Sequence, residues 1–368
     1  MAGNQPYQAG RHFLQIPGPT NVPDRILRAM DGPTIDHRGP AFESLALRVL
    51  VGIKGVFQTK DPVVIYPASG TGAWEAALVN TLATGDRVLM AETGQFATLW
   101  RALADRLGLD VLFLAGDWRH GVQAEQIAAA LADDKGQLIK AVCCVHNETS
   151  TGVTSDIAAV RRAMDDTGHP ALLMVDTISS LASIDYRHSE WGVDVTIGGS
   201  QKGLMLPPGL SFNAVSEKAL AAHEAGGMTR SYWDWSAMLG ANKGGAFPYT
   251  PATNLLYGLD EAISMLGEEG LQNVFQRHAR LAEATRRAVA AWGLETVAQV
   301  ESEKSNSLTA VLLPEGHDAD AFRSVVLQHF NMSLGNGLGR LAGRAFRIGH
   351  LGDFNELMLA GTLSGVEM

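Results

Sequence analysis

Residues 62–82, PVVIYPASGTGAWEAALVNTL, pass from an apolar, β-branched run through a glycine-containing turn into a segment with helical periodicity. The run PVVIYP predicts a buried strand over 62–67, and the apolar spacing that follows predicts a helix over 73–83. A buried strand that leads directly into a helix is the repeating unit of an α/β fold. This stretch therefore predicts the fold class.

The same unit recurs through the first two-thirds of the chain. Further strands are predicted over 87–92, 110–115, 139–146, 170–176, 193–199 and 210–216, and further helices over 96–108, 123–133 and 156–167. Continuous apolar strands that alternate with helices indicate a parallel or mostly parallel sheet, because such strands are buried on both faces. We therefore expect one large sheet with helices on both sides.

The pattern changes at about residue 254, where two long helical segments follow one another and are separated at GEEG (267–270). Beyond Gly293, short strand and helix patterns predict a smaller α+β unit. We expect an N-terminal arm on the substrate side over 1–22, a large domain over 23–260 and a small C-terminal α+β domain over 261–368. The chain stops inside a helical pattern, GTLSGVEM (361–368), which is typical of a sequence that lacks its natural C-terminus.

Composition excludes several classes of function. The net charge of −10 argues against nucleic acid or an anionic membrane as the main partner. The chain has no N-terminal signal segment and no apolar run of about 18 residues, so we expect a soluble, cytoplasmic protein.

Its two cysteines, Cys143 and Cys144, are neighbours. Because neighbours on a strand point to opposite faces, we expect neither a disulfide nor a metal site from them.

A first chemical feature is the turn over 69–72, SGTG, which leads from a strand into a helix N-terminus. Glycines let the backbone approach an anion there, and the unpaired N–H groups of the helix can bind a phosphate. An ordinary glycine-rich turn has the same pattern. The match to a dinucleotide fingerprint is partial, because Glu75 stands where its third glycine would be. The turn alone leaves these alternatives open.

Two charged residues follow neighbouring strands. Asp176 ends the strand 170–176, and Lys202 follows the strand 193–199 by three residues, so both should lie at one sheet edge. A buried carboxylate needs a cationic partner, and a buried lysine has a lowered pKa that makes its amine nucleophilic toward carbonyls. The alternatives are an aspartate that caps a turn and a lysine that extends to solvent.

Together, the three features match one small molecule. A phosphate on a helix N-terminus, a pyridinium nitrogen opposite a carboxylate and an aldehyde on a lysine describe pyridoxal 5′-phosphate. A nicotinamide-dependent oxidoreductase that uses the GTGAWE turn remains a remote alternative. His146 and His350 have no second ligand at metal-site spacing, so we expect structural hydrogen bonds for both.

Eight motifs extend in order over nearly the whole chain: PGPTNVP (17–23), DHR (36–38), ASGTGAWEAAL (68–78), HNETSTGV (146–153), VDTISS (175–180), GSQKGLMLPPGL (199–210), FPYTP (247–251) and FRIGHLG (346–352). With these motifs the chain resembles class V aminotransferases of fold type I, and among them the bacterial serine–glyoxylate group. The resemblance implies a large domain with a mostly parallel seven-stranded sheet covered by helices, and a smaller α+β C-terminal domain.

The resemblance also implies roles for single residues. Lys202 would hold the cofactor and act as general base, and Asp176 would keep the pyridine nitrogen protonated. Further cofactor contacts are implied for Thr71, Gly72 and Ala73 at the phosphate, Gln201 beside it, Phe96 and Ile178 on the two ring faces, Thr149 near the ring hydroxyl, and Tyr249 and Thr250 at the phosphate of the neighbouring subunit.

On the substrate side, the resemblance implies that Arg347 binds the substrate carboxylate, since its guanidinium suits a bidentate contact. Pro19, Thr20 and Asn21 would line the same side. His37 could bind substrate, brace the dimer or pack, and these alternatives stay open.

The implied activity is transfer of the amino group of a small donor, L-serine, to glyoxylate, which gives hydroxypyruvate and glycine in a homodimer with shared active sites. Alanine–glyoxylate, aspartate–glyoxylate and pyridoxamine–pyruvate aminotransferases are alternatives, because they share the cofactor residues. Cysteine desulfurases are disfavoured, because they need a loop cysteine in the C-terminal part and this chain has none after Cys144.

Overall fold

The computed structural model describes residues 9–368 of the chain. The strands are β1 (Phe13–Gln15), β2 (Val63–Tyr66), β3 (Arg87–Ala91), β4 (Asp110–Leu114), β5 (Ile139–Val145), β6 (Asn147–Glu148), β7 (Val153–Thr154), β8 (Leu172–Asp176), β9 (Val195–Gly199), β10 (Ser211–Val215), β11 (Glu295–Thr296), β12 (Leu308–Leu312), β13 (Met332–Asn336) and β14 (Ala345–Gly349). The helices are α1 (Asp24–Met30), α2 (Pro40–Val56), α3 (Gly70–Thr81), α4 (Gln95–Arg106), α5 (Ala124–Asp133), α6 (Ile157–Thr167), α7 (Glu217–Ala225), α8 (Trp235–Asn242), α9 (Thr253–Glu269), α10 (Leu271–Ala291), α11 (Ala319–Phe330) and α12 (Glu356–Glu367).

The larger sheet has seven strands in the order β2-β10-β9-β8-β5-β3-β4. Neighbours from β9 through β4 pair in parallel, and β10 runs antiparallel to both β9 and β2. All seven strands lie within the predicted segments, so the predicted mostly parallel α/β sheet is confirmed. The carboxyl ends of the parallel strands meet at one edge, where ligand sites of such sheets are found.

Helices cover both faces of this sheet, because successive strand residues point to opposite sides. On one face, α3 and α4 pack their tryptophans, Trp74 and Trp100, over strand residues that include Cys143. On the other face, α5 and α6 pack over strand residues that include Cys144. The two cysteines are buried and free.

The second sheet has five strands in the order β1-β13-β14-β12-β11. It is antiparallel except at its edge, where β1 pairs in parallel with β13. Side chains from α10, α11 and α12 complete its core. This is the smaller α+β unit that the C-terminal sequence pattern predicts, with one strand supplied by the N-terminal segment.

The division at 1–22, 23–260 and 261–368 stays a prediction. Residue 260 lies inside α9, and β1 joins the second sheet although it belongs to the predicted N-terminal arm. The first part of that arm, residues 1–8, lies outside the described residues. Within residues 9–368, none of the helices combines the length and the apolar character needed to cross a bilayer.

Three buried histidines make structural hydrogen bonds. His146 Nδ1 lies 2.9 Å from Ser180 Oγ, and His350 contacts Thr309 Oγ1 and the Asn306 carbonyl. His278 donates from Nδ1 to the Val274 carbonyl and accepts at Nε2 from the Gly352 N–H, so its ring is neutral. Burial lowers the pKa to about 4 for His146 and His278 and to about 3 for His350.

These histidines predict loss of stability in mild acid. Because their folded-state pKa values lie below the ordinary 6.5, the unfolded chain binds more protons between pH 4 and pH 6.5. Their stabilising contribution is complete above pH 6.5 and is lost as the pH falls toward 4. The urea midpoint should fall between pH 7.5 and pH 5, and it should fall less in His278→Gln, relative to that variant's own midpoint at pH 7.5. An equal fall in both proteins would contradict the assignment to His278.

Candidate active site

A cavity of about 250 Å³ opens at the carboxyl edge of the large sheet. It is bounded by the turns that follow β2, β5, β8 and β9, the start of α4, and a loop after β1. The residues that line it are Gly18, Pro19, Ser69, Gly70, Thr71, Trp74, Phe96, Asn147, Thr149, Asp176, Ile178, Gln201, Lys202 and Pro208.

Lys202 is 8% exposed, and its Nζ donates a hydrogen bond to the carbonyl of Pro17. Burial lowers the pKa of its ammonium to about 7, the positive charge of Arg347 lowers it as well, and the negative charge of Asp176 opposes both. Close to neutral pH, a substantial fraction of Lys202 is therefore the free amine, which is the nucleophilic form. The structure thus places Lys202 in the sheltered position that its motif predicts.

Because Gly18 has no side chain, the Lys202 side chain can pack directly against it. A Cβ atom on Gly18 would lie 2.3 Å from Lys202 Cδ, and the φ of Gly18 is +98°, a conformation that favours glycine. The same segment is bound to the loop after β9, because the Thr20 N–H donates to the Gln201 carbonyl at 3.1 Å. The N-terminal segment therefore connects the second sheet to Lys202.

The lowered pKa of Lys202 predicts selective labelling of the apoprotein. Reductive methylation with formaldehyde requires the free amine, so the rate at Lys202 should rise about tenfold per pH unit below pH 7 and level off above it. In Asp176→Asn the midpoint should move to lower pH, because the charge that raises the lysine pKa is gone. Peptide mapping by mass spectrometry measures both profiles, and a higher midpoint in Asp176→Asn would contradict this account.

Asp176 ends β8 and is buried. Its Oδ2 accepts from Trp74 Nε1 at 2.9 Å, and its Oδ1 accepts from the Ile178 N–H at 2.7 Å. Both donors are uncharged, and burial raises the pKa of the carboxyl to about 7 although the two hydrogen bonds lower it. A cation bound in the cavity would stabilise the ionised carboxylate, since a buried charge needs a partner.

The N-terminus of α3 faces the cavity. The helix begins at Gly70, three residues before its predicted start, and Ser69 makes no side-chain capping bond to it. No acidic side chain lies in the first turn, so the positive end of the helix is available to an anion. Thr71 lines the cavity, whereas Gly72 and Ala73 lie in the first turn behind it.

Arg347 lies on β14 of the second sheet and is 6% exposed. Its Nε donates to the Asn336 carbonyl at 2.7 Å, and its Nη1 donates to the Thr149 carbonyl at 2.8 Å. A guanidinium has five N–H groups, so three remain for a ligand. Its charge is close enough to lower the pKa of Lys202. Arg347 is thus beside the cavity and not among its lining residues.

The structure gathers most of the predicted cofactor residues around one cavity. Those that line it are Thr71, Phe96, Thr149, Asp176, Ile178, Gln201, Lys202 and, from the substrate set, Pro19. Thr20 packs behind Lys202, whose carbonyl accepts from its hydroxyl at 3.3 Å. The Oε1 of Gln201 is buried without a hydrogen-bond partner, so the cavity contains an unused acceptor.

The other predicted residues lie away from the cavity. Asn21 donates to the Leu14 carbonyl at 3.2 Å and so braces the N-terminal segment. His37 is half-buried, and its Nε2 has no partner. Tyr249 stacks on Tyr232 with ring centroids 4.3 Å apart, and Thr250 beside it is exposed.

Sequence reasoning missed several residues of the site. Trp74, which donates to Asp176, has one signal in the sequence, its place two residues after the SGTG turn, close to the start of the helix. The Pro17 carbonyl has no signal in the sequence, because any residue carries a carbonyl. Asn147 and Glu148 lie in the motif HNETSTGV, and Pro208 lies in GSQKGLMLPPGL, and neither motif by itself predicts a role for them.

Comparisons with known proteins agree with this geometry. The family description "Aminotransferase class-V" matches residues 13–337. The serine–glyoxylate aminotransferase of Methylorubrum extorquens is 52% identical over 98% of this chain and 91% of its own length. The L-aspartate–glyoxylate aminotransferase of Paracoccus denitrificans is 46% identical over 96% and 89%. The crystal structure of an alanine–glyoxylate aminotransferase from Nostoc sp. superimposes with a TM-score of 0.90 at 30% identity, over 99% of this chain and 96% of that one.

Proposed function

The chain belongs to the class V aminotransferase family, and from this premise we propose that it transfers the amino group of L-serine to glyoxylate, forming hydroxypyruvate and glycine. The observation that carries the proposal is the meeting of Lys202 and Asp176 in one cavity, at the ends of neighbouring parallel strands and beside an open helix N-terminus. The serine donor rests on the 52% identity to a serine–glyoxylate aminotransferase.

The residues present fit pyridoxal 5′-phosphate. Lys202 supplies an amine for its aldehyde, Asp176 a carboxylate for its ring nitrogen, and the first turn of α3 with Thr71 a cradle for its phosphate. Phe96 and Ile178 also line the cavity, and we propose that they would contact the two faces of the ring. The unpartnered Gln201 Oε1 and the raised pKa of Asp176 both indicate a cavity that is built for a polar, partly cationic ligand. When bound, this cofactor supplies an electron sink that makes the Cα proton of an amino acid acidic.

Lys202 is proposed as the general base. A base works best when its pKa is close to the working pH, and burial brings the pKa of Lys202 to about 7. The neutral amine takes a proton at the substrate Cα, and the resulting ammonium has the Pro17 carbonyl within hydrogen-bond reach. Arg347 is proposed to hold the substrate carboxylate and so to direct the Cα–H bond toward Lys202.

The experiment that tests the proposal is a donor scan. The purified protein with added pyridoxal 5′-phosphate is given glyoxylate and one amino acid at a time, and glycine and the new 2-oxo acid are measured. Serine should be among the fastest donors. A protein that uses aspartate rapidly and leaves serine unchanged would instead match its 46% identical relative and would overturn the serine assignment.

We further propose a homodimer in which Tyr249 and Thr250 reach the phosphate site of the partner. In support, the Tyr249 hydroxyl is buried without a partner, and Tyr232 stacked on it is 45% exposed. Tyr249→Phe should weaken binding of pyridoxal 5′-phosphate about tenfold or less, as expected for one hydrogen bond, without changing the mass in light scattering. A monomeric wild-type protein would contradict the proposal.

The two unpaired cysteines fit a reducing compartment, so we also propose a cytoplasmic location.

A further inference from the structure

The N-terminus of α4 is capped by side chains from another part of the chain. Gly94, at the N-cap position, has no side chain that could accept a hydrogen bond. The first three N–H groups of the helix instead donate to side chains of residues 148 and 150. The Gln95 N–H donates to Ser150 Oγ at 2.9 Å. The N–H groups of Phe96 and Ala97 donate to the Glu148 carboxylate at 3.3 and 3.1 Å. A carboxylate at this end also stabilises the helix dipole.

Glu148 is closed in on every side. It is fully buried, and the N–H and hydroxyl of Ser150 donate to its Oε1 at 3.0 and 2.7 Å. A Cβ on Gly94 would lie 2.4 Å from Ser150 Oγ and 2.5 Å from Glu148 Cγ, so only glycine permits this approach. Burial raises the pKa of the Glu148 carboxyl, whereas the hydrogen bonds donated by Ser150, Ala97 and Phe96 lower it and so favour the ionised, acceptor-only form.

This capping carboxylate lies between two parts of the active site. Phe96, whose N–H it accepts, and Thr149, which follows it in the chain, both line the cavity. The Thr149 carbonyl in turn accepts from Arg347 Nη1. Burial lowers the pKa of Arg347 to about 10 and raises the pKa of Asp176 to about 7, and the negative charge of Glu148 acts on both groups in the raising direction.

We propose that Glu148 is a positioning residue that sets the ring-facing side chain Phe96 and the carboxylate-binding side chain Arg347 relative to each other. One buried carboxylate holds the start of α4 on one side and the Thr149 turn on the other. A shift of this group would move the ring-stacking and carboxylate-binding sides apart. This inference rests on the proposed function and names a residue through which the cofactor side and the substrate side are joined.

The test uses Glu148→Gln, which keeps the volume but replaces one acceptor oxygen by an amide that faces backbone donors. The matched control is Asp194→Asn. Asp194 is a buried carboxylate that also accepts a backbone N–H, from Leu173 at 2.8 Å, and a serine hydroxyl, from Ser216 at 3.0 Å. It directly precedes β9, so it lies at the end of that strand away from Lys202 and the cavity. Both variants should lose thermal stability, and only Glu148→Gln should change the site.

The expected result is a rise of about tenfold or more in KM for both serine and glyoxylate in Glu148→Gln, since small displacements of positioning groups have effects of that size. The Kd of the apoprotein for pyridoxal 5′-phosphate, measured by absorbance titration, should rise as well. Asp194→Asn should keep wild-type KM and Kd. A folded Glu148→Gln with wild-type KM and Kd would overturn the proposal, and so would equal changes in both variants.

Ser150→Ala provides a second route if Glu148→Gln does not fold, because it removes only one donor to Glu148 and the acceptor for Gln95. It should raise KM and Kd in the same direction by a smaller factor, and unchanged values would overturn the proposal. A wild-type protein that binds pyridoxal 5′-phosphate but transfers no amino group would refute the proposed function alone. The Kd comparison would still decide the role of Glu148.

Discussion

Lys202→Ala is expected to lower turnover with serine and glyoxylate by about a thousandfold or more, within the range that general acid–base groups contribute. Lys202 lines the cavity and carries a primary amine, and burial lowers the pKa of that amine to about 7. Its removal takes away both the proton carrier and the covalent attachment point for an aldehyde. Turnover is measured as glycine formed, and attachment as cofactor fixed to the protein by borohydride.

Two comparisons make the Lys202 result specific. Lys140→Ala removes an exposed lysine whose Nζ donates to the Gln137 carbonyl, and this variant should keep wild-type turnover. Added ethylamine should restore part of the activity of Lys202→Ala, because the truncated side chain leaves space for a small amine. A Lys202→Ala protein that retained borohydride-fixed cofactor and full activity would refute the assignment.

Arg347→Ala is expected to raise KM for serine and for glyoxylate by about tenfold to 150-fold, because a hydrogen bond to a charged group is worth about 1.5–3 kcal/mol. The structure adds a second consequence. The Asn336 and Thr149 carbonyls, which accept from Arg347, would lose a donor, so the variant should also unfold at a lower temperature.

A substrate without a carboxylate provides the control for the Arg347 variant. Ethanolamine is serine without its carboxylate, so the preference for serine over ethanolamine should fall by the same factor in Arg347→Ala. Arg347→Lys should recover little, since one ammonium cannot replace donors that point at two carbonyls and a ligand. If the rates with serine and ethanolamine fell equally, Arg347 would be a structural residue and its proposed role would be wrong.

Local sequence patterns predicted the elements of the large sheet well. All seven strands lie within the predicted segments, and the break between α9 and α10 is at Gly270, inside the predicted GEEG. The start of α3 was predicted three residues late. Glycines at 70 and 72 are typical of a turn, but in the folded chain they allow close packing, with Ile178 beside Gly70 and Trp233 beside Gly72.

Non-local contacts were beyond the reach of sequence patterns. The strand β1 has three residues, and it exists because β13, more than 300 residues later, pairs with it. The hydrogen bond from Trp74 to Asp176 and the capping of α4 by Glu148 likewise join distant segments. No periodicity records such pairs, since each partner satisfies its own local pattern equally well without the other.

The sequence by itself determined the alternation of strands and helices, and with it the sheet edge at which Asp176 and Lys202 meet. The sequence determines these features because the local spacing of apolar residues and the positions of turn residues predict where strands end and helices begin. Only the tertiary structure decided that Lys202 is buried against Pro17, that Arg347 donates to the Thr149 carbonyl, and that Glu148 accepts from the Phe96 N–H at the start of α4. Burial and charge depend on packed neighbours, and the residues named here come from five separate parts of the chain, at 17, 96, 148–149, 202 and 347.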